Sequence, residues 1–229
     1  MKFVYFLSLM FLIQATVHSQ NSKKITVAYG NSISDVVSFK ELYSYPEFIE
    51  GKVLFKDGTA YAPKLNYNLF LGQIQFINPK GDTLVLNNEN TLKYILIGQD
   101  SFFYDKGYFR VLTGFSKMKL AVQQRIKVAD KQKIGAFGQP SSGAGIETYD
   151  RIVQTNKLSL MENIILSKET KYYIGNTNNE FYPCSKKRLF AIFPKHQEVI
   201  ESYVRENQTN FNKQEDLIKL LGFLENLSS

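Results

Sequence analysis

The side chains able to do chemistry are few and scattered. One cysteine, Cys184, and two histidines, His18 and His196, supply every thiol and imidazole in the 229 residues. His18 falls in a segment that reads as removable, which leaves His196 and excludes a multi-histidine metal centre. Between Cys184 and His196 stand a helical stretch and Pro194. Nothing there sets up an oxyanion hole, so an activated thiol has no frame. A lone thiol of this kind reads as a small buried apolar residue. Neither metal nor cofactor is expected. The carboxylates Asp57, Asp82, Glu89, Asp100 and Asp105 all lie in or beside turn signals, where Asp and Asn serve the backbone. A glycosidase would need two of them at a sheet end. A hydrolase is therefore the weakest reading, and a non-enzymatic protein is the expectation.

Two further stretches invite a functional reading. Residues 135–145 are rich in glycine, but Ala144-Gly145 stand where a phosphate loop needs Lys-Ser/Thr after Gly143, so this reads as a mobile loop and a candidate lid. Just before it, Lys117, Lys119, Arg125, Lys127, Lys131 and Lys133 face one acid, Asp130. Leu120 with Val122 and Ile126 with Val128 sit at strand spacing, which predicts a strand or strand pair with a basic outer face. Such a charge run is ordinarily solvated surface. As a site it is a docking strip for an envelope protein, an anionic polymer or a lipid headgroup. The formal charge of +7 favours those partners over nucleic acid once the chain is outside the cytoplasm.

The elements that must carry these residues are mostly strands. From Gly51 to Leu112 short apolar runs are cut at Lys56-Asp57-Gly58, Leu71-Gly72, Asn78 to Gly81, Asn87 to Asn90, Gly98 to Asp100 and Asp105 to Gly107. That is the pattern of an antiparallel meander. Leu65, Tyr67, Leu69 and Leu71 are apolar on odd positions, whereas Ile74 and Phe76 are apolar on even ones, so a hairpin turn belongs at Leu71-Gly72. Tyr94 to Ile97 is apolar throughout and predicts a strand covered on both faces. Ile25 to Tyr29 reads as an opening strand. Ser34 to Tyr45 fits either helix or strand, and Phe39, Tyr43, Tyr45 and Phe48 read as a lid packed on the sheet. Lys171 to Ile174 and Glu180 to Tyr182 flank Asn176 to Asn179 as one more hairpin.

Helices close the chain. Ser185 caps Lys186 to Phe193, Lys195 to Glu206 comes after Pro194, and Asn212 with Glu215 resembles a capping box before Leu217 to Leu227. Leu217, Leu220, Leu221 and Leu224 repeat at helical spacing and must lie on something apolar, with the sheet the expected partner.

At the other end, Met1-Lys2 and the apolar run from Phe3 to Ile13 precede Val17 and Ser19 at the −3 and −1 positions of a cleavage site. Residues 1–19 read as a signal peptide, with no transmembrane segment left after its removal. The chain is 44% hydrophobic and 14% aromatic, a folded composition. The expected organisation is a β-rich domain over 20–183 and a helical segment over 184–229.

Leu65-Asn66-Tyr67-Asn68-Leu69, Pro79 to Leu84, the Tyr104 to Tyr108 turn and the ending from Phe193-Pro194-Lys195 through Phe211, Asp216 and Leu217 resemble uncharacterised exported proteins of Bacteroidetes. That resemblance implies a periplasmic or cell-surface address and no activity. The sequence thus predicts a mainly β fold with C-terminal helices, an antiparallel meander forming a curved sheet or sandwich packed by two or three helices. The expected function is binding a macromolecular or amphiphilic partner, with a small-ligand or lipid carrier as the alternative.

Overall fold

The computed structural model describes residues 24–134, 140–142 and 162–227, with 132–134 and 140–142 described as backbone. The signal segment and most of the glycine-rich stretch lie outside the described residues. In chain order the elements are β1 (Lys24–Val27), α1 (Ile33–Val36), α2 (Phe39–Leu42), β2 (Ile49–Phe55), β3 (Ala60–Tyr61), β4 (Lys64–Asn68), β5 (Gln73–Ile77) and β6 (Thr83–Val85). Then come β7 (Leu92–Ile97), β8 (Asp100–Tyr104), β9 (Tyr108–Gly114), β10 (Lys119–Ile134), β11 (Pro140–Ser142), β12 (Asn163–Gly175) and β13 (Phe181–Pro183). The helices α3 (Lys186–Ile192), α4 (Gln197–Glu206) and α5 (Gln214–Leu227) end the chain. The predicted meander, the hairpin at Leu71-Gly72 and the three closing helices are all present. Pro140–Ser142, expected as loop, instead pairs with the end of β10.

One curved, unclosed antiparallel sheet holds the strands in the order β1-β12-β10-β9-β8-β7-β2-β4-β5-β6. The meander is therefore split. A simple meander would pair β6 with β7, but β7 lies on β2, so the hairpins β4 to β6 form a wing on the far side. The reason is burial: Leu92, Ile95 and Ile97 are inside, and a central place between β2 and β8 covers them. Tyr94 and Leu96 stay partly exposed, so the expected cover on the second face of β7 is incomplete.

The wing turns over at β2. Ile49 and Glu50 pair with β4, while Val53 and Leu54 pair with β3. Between them sits Gly51, where a Cβ would lie 2.5 Å from the Leu96 carbonyl oxygen and 2.6 Å from Leu65 Cδ1. Only glycine lets these strands approach so closely. The wing then reaches back to the long strand β10, whose Ile126 N–H donates to the Leu69 carbonyl at 2.9 Å. Val27, Ile33, Leu65, Tyr67, Ile95 and Ile126 fill the space so enclosed.

A strap over the wing is fastened by a buried asparagine. Asn66 is fully buried. Its Oδ1 accepts from Tyr45 N–H, and its Nδ2 donates to the carbonyls of Tyr45 and Glu47 at 3.0 and 2.9 Å. Of the residues expected to form a lid, Tyr45 packs against the sheet core and Tyr43 Oη donates to Gln75, while Phe39, 41% exposed, stacks on Tyr43 at 4.3 Å with Phe48 beside them.

The closing helices rest on the same inner sheet face. Leu217, Leu220, Leu221 and Leu224 are fully buried against Leu120 and Ile174. Ser185 Oγ caps α3 by accepting from Arg188 N–H. The start of α5 is tied differently from the expected box: the Asn212 N–H donates to Asn210 Oδ1, and the Asn210 N–H donates to Asp216 Oδ2. Among the described residues no helix is long and apolar enough to cross a membrane.

Two substitutions test this frame. Gly51→Ala forces a backbone clash and is expected to cost about 3 kcal/mol or more of stability in chemical denaturation. Asn66→Ala removes three hydrogen bonds to the strap backbone and is expected to cost about 2–4 kcal/mol; Asn66→Asp, which cannot donate to the two carbonyls, is expected not to restore it.

Candidate functional site

Cross-strand partners in an antiparallel ladder share a face, so the register of β10 with its neighbours sorts the basic residues. Lys119, Ala121, Gln123, Arg125 and Lys127 point to the outer face, with Tyr173, Lys171, Glu169 and Ser167 beside them on β12. The inner face of β10 carries Leu120 and Ile126 into the two cores, with Val122 buried between them. Lys117 is exposed in the turn before β10. The register shift between Val128 and Asp130 sets Lys131 opposite buried Ile164, on the other face from Lys127. Lys133 is a backbone position opposite Ser141, and its side chain lies outside the described residues. The predicted strip thus follows one strand and the turn before it but is not one surface.

On the outer face the amines meet aromatic rings. Phe109 and Phe181 stack at 4.5 Å, Tyr173 sits edge-on to Phe109 at 4.7 Å, and Phe103 lies against Phe181. This cluster is built from strands alone. Phe103, Val111 and Tyr173 are partly exposed. Lys119 Nζ sits 4.5 Å over the Phe103 ring and donates to Asn179 Oδ1, and desolvation lowers its pKa. Sequence reasoning missed this cluster because its members come from four separate strands.

The remaining outer cations divide into two kinds. Lys127 and Lys171 both pair with Glu169, at 2.7 and 2.9 Å. Lys171 was absent from the predicted strip, since nothing but strand pairing brings it there. Arg125 is a wedge instead. Its guanidinium lies between two turns, where a Cβ on Gly72 would be 3.1 Å from Cζ and one on Gly107 2.8 Å from a terminal nitrogen. Its Nε is buried with no hydrogen-bond partner.

The groups that raised the question of catalysis are engaged elsewhere. Asp57, Asp82 and Asp105 accept from the Thr59 N–H, the Asn78 amide and the Phe181 N–H. Asp100 accepts from Tyr45 Oη at 2.6 Å and from Arg110 at 3.2 Å; burial, then that carboxylate, raises the tyrosine pKa. Burial in the helical core pushes the Cys184 thiol up to about 12. Among the described residues no three His, Cys, Asp or Glu side chains are grouped to hold a metal ion.

No family model matches the chain, and neither the curated proteins nor the solved structures contain a match. The geometry of the outer face therefore carries its functional reading.

Burial raises the pKa of Glu169, but hydrogen bonds and charge from Lys127 and Lys171 outweigh it and leave the carboxyl below its ordinary value. A depressed folded pKa adds stability above the unfolded value, about 4.3, and loses it as pH falls through the folded one. Thermal melts are expected to show Glu169→Gln less stable than the native chain at about pH 6, with the gap closing toward about pH 3.

Proposed function

We propose that this is an exported, non-enzymatic protein of the cell envelope that docks an acidic surface of another envelope protein on its outer sheet face. One observation carries the reading: Lys119 lies over a ring of a partly exposed aromatic cluster, and Lys171 and Lys127 follow along the same face. Rings with cations at their margin are the composition that anchors protein interfaces. Positive charge on this face also speeds encounter with an acidic partner. The narrower basic strip, with Arg125 held as a wedge, is replaced by this broader face. A lipid carrier lacks support of this kind, because a core fills the inner side of the sheet. A pocket left there, about 140 Å³, has room for a group of about benzene size rather than a long lipid chain.

Carboxyl-to-amine crosslinking in intact envelopes tests the reading directly. Adducts are expected at Lys127 or Lys171 to one defined partner peptide, and Lys127→Glu with Lys171→Glu is expected to abolish them while the protein still melts cooperatively. Adducts that survive this double reversal in a folded protein would sink the proposal.

A further inference from the structure

A second site lies on the opposite face of the same strands. Between β1, α2, β10 and β12 the inner face leaves a pocket of about 140 Å³, open at one side. Its floor is Ile25, Ile126 and Leu166, and Lys40 and Lys168 stand among its rim residues. An apolar cavity of about 150 Å³ accommodates a benzene-sized group.

The inner positions of β12 hold Ile164, Leu166, Lys168, Thr170, Tyr172 and Ile174, and the residue opposite Lys168 is buried Ile126. Lys168 and Lys40 are both exposed at the rim, and partial desolvation of Lys168, with the charge of Arg110, lowers its pKa. Among the described residues neither Lys168 nor Lys40 has a carboxylate within ion-pair distance. The acid at the rim, Glu41, is already used by the helix start, where it accepts from Ser38 N–H and Oγ. Two amines at the rim of one apolar pocket, with no acid among the described residues to pair them, are complementary to an anion.

We infer that this pocket binds a small monocarboxylate, its apolar tail on Ile25, Ile126 and Leu166 and its carboxylate on Lys168 and Lys40. Charge complementarity selects the anion, and the volume limits the tail to about the size of one ring or a short acyl chain. The site is independent of the outer docking face.

Ligand-observed NMR with hexanoate, hexanol and hexylamine on the purified protein tests it. Hexanoate is expected to bind saturably, with hexanol at least about tenfold weaker and hexylamine weaker still, since a charge-assisted bond is worth about 1.5–3 kcal/mol. Lys168→Gln is expected to weaken hexanoate about tenfold without changing hexanol, and Ile25→Phe, which fills the pocket, to abolish both. Absence of saturable hexanoate binding, equal binding of acid and alcohol, or native affinity in a folded Lys168→Gln protein would each overturn the assignment. Should Lys168→Gln fail to fold, the acid and alcohol series on the native chain decides alone.

Discussion

The pairing of β10 with β12 is the interaction on which the rest of the molecule depends. It runs from Lys119 opposite Gly175 to Gln132 opposite Asn163, and it serves two cores at once. At one end Leu120 and Ile174 carry the closing helices; at the other Ile126 and Leu166 line the sheet core. Because one ladder underlies both, the helical segment behaves as an extension of the sheet. The outer side of the same ladder then gathers Lys127, Lys171 and Glu169, so the candidate docking face needs no scaffold of its own.

The wing is held on by fewer contacts, of a different kind. Gly51 lets β2 turn over, Ile126 lends one backbone N–H to Leu69, and Arg125 wedges between the turns at Gly72 and Gly107. Asn66 does for the strap what a neighbouring strand would otherwise do, offering one acceptor and two donors to its backbone groups from a fully buried side chain. An amide buried there without these partners would cost more than a typical hydrogen bond gains. Buried polarity here therefore specifies where the strap lies.

Local features were legible in the sequence and non-local ones were not. Glycine and asparagine marked the turns, and the leucine spacing marked the last helix, because both depend on neighbouring residues. Asn66 and Asn68 read as outward polar positions of an alternating strand, yet both are buried, and only the strap explains it. The basic run was visible as composition. Its division into a wedge at Arg125, a ring contact at Lys119 and an ion pair at Lys127 depends on residues from other strands, and the bulge after Val128 that turns Lys131 to the other face has no local signature. Lys171 belongs to the site through pairing alone.

The place of β1 bears on how the molecule assembles. Its partner is β12, and the Tyr29 N–H reaches Asn163 across 134 positions of chain. Val27 and Ile33 belong to the sheet core, so that core stays incomplete until the last third of the chain has been made. Closing so long a loop is entropically slow relative to forming hairpins. A chain synthesised from its amino end thus holds the hairpins β2 to β9 as an early, locally wired subassembly, while its first strand waits for the ladder that finishes the fold.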